Sequence, residues 1–265
     1  MENNLNPIIR SAANFLFPSL CLACRRGLVQ RFLRGGVCEP CWETLPVPKE
    51  SRCDICDEPL ACGEESGETP ISPRGSEITR CGRCLLSPPP FRRLRAATPY
   101  RGSAREILIA FKFAGADYLA PRLAGIMAAR LSASETWNEA AAVPATARAR
   151  LRGDHAADLL AAAVAERLGI RFSPGRLVKV RSTDRQSGLP LARRARNVRG
   201  AFRAHAGAPR RVLLVDDVAT SGATARECAR LLLKAGAREV DVWCFARASR
   251  DDMLARDFET RAPRN

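Results

Sequence analysis

Residues Val212 to Thr224 read Val-Leu-Leu-Val-Asp-Asp-Val-Ala-Thr-Ser-Gly-Ala-Thr. Four strand-forming apolar residues lead into two carboxylates, Asp216 and Asp217, and a hydroxyl-rich turn with one glycine follows. The pattern predicts a buried strand that stops at a sheet edge and presents both carboxylates there. The turn, Thr220, Ser221, Gly222, Ala223 and Thr224, opens a helix-like stretch through Lys234. Free backbone N–H groups at a helix start, aided by the helix dipole, favour a phosphate. Carboxylates accept hydrogen bonds from vicinal hydroxyls while amides hold the phosphate, so the natural ligand of this stretch is a sugar phosphate. The plainer alternative is a strand–turn–helix in which Asp and Thr merely cap the helix.

A second set of residues has metal-binding spacing. Eight of the eleven cysteines fall as four C-x-x-C pairs: Cys21 with Cys24, Cys38 with Cys41, Cys53 with Cys56, and Cys81 with Cys84. Each pair lets two thiolates from one tight turn meet one ion, and two turns complete a tetrahedral site. Two tandem zinc ribbons, each a closed structural site, are the natural reading, with cross-braced pairing of the four turns as the open alternative. A polar insert, Gly63 to Glu68, lies in the longer gap, and Cys62 is expected to be a non-ligand. Cys228 and Cys244 are expected in the core.

A third set is cationic. The chain carries 43 Lys+Arg against 28 Asp+Glu, a net +15. Residues 143–211 alone hold sixteen basic and four acidic residues, a net +12. Arg181, Thr183, Arg185 and Gln186 form a polar loop, and Arg193, Arg194 and Arg196 follow it. Such a loop could close over a leaving group and exclude water. A solvated basic face and a track for single-stranded nucleic acid are the competing readings. For the track, Lys112, Arg181, Arg185, Arg193, Arg194 and Arg196 are the candidate phosphate contacts. Phe172 and Phe202 are the aromatics within this region, so stacking would need help from Phe91, Tyr100, Phe111 or Phe113.

These groups need elements to position them. Strands are predicted at 94–100, 139–144, 176–180, 211–216 and 239–245, and helices at 103–113, 118–131, 154–168 and 223–235. Ser103 is the expected cap of the first helix and Gly169 the stop of the third. Strands alternating with helices predict an α/β fold with a mostly parallel sheet covered on both faces. Ser87-Pro88-Pro89-Pro90 is a stiff joint. The expected division is a lead-in helix and double zinc ribbon over 1–90, an α/β domain over 91–248 and a charged tail over 249–265. With 46% hydrophobic and 27% charged residues the chain is globular. No run of about 18 apolar residues exists, so membrane insertion is not expected. The N-terminus makes a poor signal peptide, which places the protein in the cytoplasm.

The stretch 212–224 resembles the phosphoribosyl-pyrophosphate (PRPP) motif of type I phosphoribosyltransferases. The order of pieces resembles the ComF (competence protein F) family over nearly the whole chain. Those pieces are the cysteine ribbons, the proline joint, Tyr100 with Gly102, Phe111-Lys112-Phe113, Val143-Pro144, Arg181 with Thr183, Gln186 and Leu189, and Arg196 to Phe202. The arginine loop and the PRPP motif also resemble amidophosphoribosyltransferases, but the length leaves no room for a glutaminase domain. The family resemblance implies a type I phosphoribosyltransferase fold, two structural Zn²⁺, Mg²⁺ with PRPP, and a role in uptake of single-stranded DNA beside a competence helicase. It assigns Asp216 and Asp217 to the ribose hydroxyls, Thr220 to Thr224 to the 5-phosphate, and Arg181, Thr183 and Gln186 to a mobile loop. Asp216, Asp217 and Arg181 are then the candidate catalytic residues, the carboxylates orienting ribose rather than acting as general bases. One segment departs: Arg152-Gly153-Asp154-His155-Ala156 stands where the family typically has Arg-Gly-Phe-Asn-Gln. Two readings remain, a phosphoribosyltransferase with an unknown acceptor, or a non-catalytic PRPP-responsive scaffold binding single-stranded DNA and a helicase.

Overall fold

The computed structural model describes residues 20–26, 36–48, 51–60, 79–131, 136–144, 155–181, 183 and 196–249. The lead-in before Leu20, Cys62 and the polar insert, the segment 151–154, Arg185, Gln186, Arg193, Arg194 and the tail beyond Ser249 lie outside them.

The sheet is built on two long apolar strands, β6 (Arg211–Ala219) and β7 (Glu239–Arg247). They pair in parallel with each other and with β1 (Arg93–Pro99) and β2 (Glu139–Ala142); β3 (Arg171–Phe172) completes the order β1-β7-β6-β2-β3. Parallel strands covered on both faces must be apolar throughout, and Val212 to Val215 are all buried. Successive side chains alternate between faces. Leu213, Val215, Trp243 and Phe245 pack against α3 (Gly102–Phe113), α4 (Ala120–Leu131) and α5 (Ala156–Leu168). Val212, Leu214, Val242 and Cys244 pack on the other face against α6 (Ala223–Lys234), whose Cys228 and Leu232 are fully buried. The α/β expectation therefore holds, with Cys228 and Cys244 in the core.

Local details differ from expectation in four places. Strand β6 runs three residues past Asp216, because Val218 and Ala219 still find partners in Ala246 and Arg247 of β7. Ser103 does not cap α3: Arg101 stands at the cap, and Ser103 Oγ donates to Thr44 O at 3.2 Å. The expected strand at 176–180 is β4 (Leu177–Lys179), which leaves the main sheet and pairs antiparallel with β5 (Phe202–Ala204). The short β3 carries no apolar run that would reveal it. Helix α5 ends where expected, at Gly169, whose φ of +65° is the left-handed conformation that glycine adopts without steric cost.

The cysteine-rich segments cover β1, the edge strand. They include α1 (Glu39–Glu43) and α2 (Gly82–Leu86). Leu94 N donates to Ile55 O at 2.7 Å and Ala96 N to Asp57 Oδ2 at 3.0 Å. Further along, Thr98 Oγ1 donates to Pro46 O at 2.7 Å. An open parallel edge would expose unpaired backbone groups, and both ribbons occupy it. Among the described residues, no helix is long and apolar enough to cross a membrane.

Candidate functional site: a phosphate turn, an acid pair and two cysteine tetrads

Strand β6 delivers Asp216 and Asp217 near its C-terminal end, and the chain turns through Thr220, Ser221 and Gly222 into α6. Gly222 has φ +73°, open space where a Cβ would stand, and serves as the N-cap of α6. A side chain there would be strained, so glycine sets the turn. Its carbonyl accepts the first helical bond, from Arg226 N at 2.9 Å. Ser221 is buried, and its Oγ accepts from Ala223 N at 3.4 Å. The remaining first-turn amides of α6 have no intrahelical acceptor, which is the condition for anion binding.

The two carboxylates are adjacent in sequence, close enough for their side chains to interact, and Lys112 acts on both. Asp217 shares the face of Leu213 and Val215, where α3 packs, and Lys112 Nζ reaches its Oδ2 at 2.7 Å. Burial alone would lower the Lys112 ammonium, but Asp217 and then Asp216 outweigh it and hold the pKa above the ordinary value. Asp217 is 7% exposed, and its Oδ1 also accepts from Val218 N at 2.6 Å. Asp216 lies on the α6 face and is half-buried. Desolvation first and Asp217 second push its carboxyl up to about 7, with Lys112 holding back part of the rise. The site thus combines a carboxylate paired with an ammonium and one that titrates near neutrality.

The other sequence candidates are distributed around this centre. Arg181 is exposed, and its Nη2 donates to Asn197 O at 2.9 Å and Arg199 O at 3.1 Å, the carbonyls of the short helical turn at 196–198. Thr183 is half-buried, Thr220 and Thr224 are half-buried, Ala223 is buried, and Arg196 is exposed. Lys112, a candidate for nucleic acid, has its ammonium on Asp217. Of the aromatics that could stack on bases, Phe91, Tyr100, Phe111 and Phe202 are buried, while Phe113 is 80% exposed. His155 is exposed at the start of α5 and makes no side-chain cap. A cleft of about 420 Å³ lined by Arg171, Ser173, Arg176 and His205 lies by the N-terminal ends of β2 and β3, at the opposite end of the sheet from Asp217.

Two residues at the site, Arg247 and Glu58, belong to no motif of the sequence. Arg247, the last residue of β7, is 1% exposed; its Nη1 donates to Thr220 O and its Nη2 to Glu58 Oε2. The available signal was a charged residue directly after the apolar run Val242 to Ala246. A cation at that position must be paired to be buried.

The eight cysteines gather as two sequential tetrads, Cys21, Cys24, Cys38 and Cys41, and Cys53, Cys56, Cys81 and Cys84, which removes the cross-braced alternative. Sulfur separations are 3.9 Å for Cys21–Cys41, 3.7 Å for Cys24–Cys38 and 3.6 Å for Cys56–Cys81. Tetrahedral zinc with bonds of about 2.3 Å sets its sulfurs about 3.8 Å apart, so the residues fit the ion. A hydrogen bond from Cys56, opposed by burial, pulls the Cys53 thiol down to about 4, giving one ready thiolate.

Residues 12–85 match the double zinc ribbon domain, and residues 155–261 match the phosphoribosyl transferase domain. The chain is 32% identical to the "DNA utilization protein YhgH" of Salmonella typhi over 238 residues, covering 87% of this chain and 97% of that protein. It is 30% identical to the protein of the same name from Escherichia coli K12, with the same coverage. It is 28% identical to "Competence protein F" of Haemophilus influenzae over 226 residues, covering 80% of this chain and 96% of that protein. Two cysteine tetrads beside a parallel sheet that ends in an acid pair and a glycine turn, together with these likenesses, place the chain in the ComF family.

Proposed function

We propose that the chain binds Mg²⁺-PRPP at Asp216 to Thr224 and transfers its phosphoribosyl group to an acceptor, in the service of DNA uptake. The observation that carries this reading is the acid pair followed by a positive-φ turn and a helix start, on the central strand of a parallel sheet. Asp216 and Asp217 would accept from the ribose hydroxyls, and the amides and hydroxyls of Thr220 to Thr224 would hold the 5-phosphate. Lys112, 2.7 Å from Asp217 Oδ2, holds that carboxylate in place. The transition state of such a transfer is oxocarbenium-like, so the protein's task is positioning and charge stabilisation. Bound with the pyrophosphate, Mg²⁺ would neutralise its charge, leaving Asp216 and Asp217 to the ribose hydroxyls. Arg181, Thr183 and Gln186 would approach the leaving group. In this division of labour, residues 1–90 hold two structural zinc ions and residues 91–248 hold the ligand.

The scaffold reading rests on the net +12 over residues 143–211 and on the altered segment 152–156. Calorimetric titration with Mg²⁺-PRPP is the first test, and absence of binding would end the phosphoribosyl reading. Binding without pyrophosphate release, across a screen of bases and amines, would leave the scaffold. For the basic track, single-stranded DNA affinity measured against salt is expected to fall in Arg193→Ala and Arg194→Ala, with a smaller salt slope. Unchanged affinity and slope would remove the track.

A further inference from the structure

We infer that Arg247 is a positioning residue for the Thr220–Thr224 turn, and that the second cysteine tetrad holds Arg247 in place through Glu58. The inference deepens the phosphoribosyl reading, on which its consequence for ligand affinity rests.

The backbone of Arg247 is pinned on both sides. It pairs with Pro99 of β1 and Ala219 of β6, and its carbonyl accepts from Tyr100 N at 2.8 Å. Ala248 N donates to Ala219 O at 2.9 Å, fastening the next residue too. From this fixed base the side chain is wholly buried and has two directed contacts, the Thr220 carbonyl and the Glu58 carboxylate. A peptide unit is planar and trans, so its C=O and the following N–H point to opposite sides. Drawing Thr220 O onto Arg247 therefore turns the Ser221 N–H away from the core. That N–H donates to no acceptor among the described residues. It is available for an anion because Arg247 holds the other face of the same peptide.

Glu58 belongs to the second cysteine turn. Cys53 N donates to Glu58 O at 3.0 Å and Asp57 N to Cys53 O at 2.9 Å, closing the loop that carries two of the four sulfurs. Asp57, at φ +58°, turns the chain so that its own carboxylate takes Ala96 N while Glu58 meets Arg247. A buried guanidinium without its carboxylate is strongly destabilised, so the position of Glu58 decides whether Arg247 stays at Thr220. The first tetrad has no such link among the described residues; it docks through Thr44 and Pro46 carbonyls. The coupling is accordingly asymmetric: among the described residues, only the second tetrad reaches the phosphate turn.

The test uses the full chain and hydrogen–deuterium exchange of the peptide spanning residues 219–224, beside calorimetry with Mg²⁺-PRPP. Glu58→Gln keeps the shape and removes the charge; Cys81→Ser and Cys24→Ser weaken one tetrad each. Expected are exchange in 219–224 faster by about tenfold in Glu58→Gln and Cys81→Ser, and no change there in Cys24→Ser. Mg²⁺-PRPP affinity is expected to fall about tenfold in the same two variants. Arg247→Lys, which cannot make two parallel contacts, is expected to follow Glu58→Gln. Exchange equal to wild type in folded Glu58→Gln, or equal acceleration in Cys24→Ser and Cys81→Ser, overturns the inference. Exchange decides the coupling whether or not wild type binds PRPP, so its failure is separable from failure of the phosphoribosyl reading.

Discussion

Asp216 should make phosphoribosyl binding depend on pH where an ordinary carboxylate is silent. Its carboxyl is raised from 3.8 to about 7, by desolvation first and by Asp217 second, against the pull of Lys112. The ionised form accepts hydrogen bonds through both oxygens, whereas the acid spends one as a donor. With the ionised form as the binder, roughly one molecule in ten is competent at about pH 6 and nine in ten at about pH 8. The ligand's 5-phosphate itself ionises at about pH 6. The informative quantity is therefore the ratio of wild-type to Asp216→Asn affinity, measured by calorimetry with Mg²⁺-PRPP. That ratio is expected to rise about tenfold between about pH 6 and pH 8 and then level off. A flat ratio over the same range would refute the reasoning, since Asp216 would then be an ordinary carboxylate or would not touch the ligand. Stability of the free protein runs the other way. A raised folded-state pKa means that folding takes up a proton, so stability is full below the ordinary 3.8, falls as pH rises through the window, and levels off above about 7. At about pH 8, Asp216→Asn should be more stable by up to roughly 4 kcal/mol, measured by denaturant unfolding.

Asp217→Asn removes the counter-ion of Lys112; a stability loss of about 1–3 kcal/mol is expected by thermal unfolding, together with loss of PRPP binding. Gly222→Ala forces an alanine to φ +73°, which should cost about 1–2 kcal/mol and weaken ribose 5-phosphate binding more than it changes global stability. Metal analysis of native protein should give two zinc ions per chain, falling to one in Cys53→Ser, and chelation should lower the melting temperature; a ratio well below two would remove the two-ribbon assignment.

The sequence by itself determined the periodic and the local. Val212 to Val215 could only be a strand buried on both faces, Asp154 to Leu168 with Gly169 could only be a capped helix, and four C-x-x-C turns announced two metal sites. These follow from patterns complete within a few residues of chain, where side-chain period and backbone freedom act directly. What tertiary structure decided lies between distant segments. It chose sequential over cross-braced tetrads, moved β4 out of the main sheet, and carried β6 beyond the acid pair because β7 still had residues to offer. It brought Lys112 of α3 onto Asp217 across 105 positions, a partnership no local pattern encodes. It brought Arg247 to Glu58 across 189 positions. The physical reason is common to all of these: a buried charge takes whichever opposite charge the packed elements bring within reach, and that is settled only when helices, strands and ribbons have stacked.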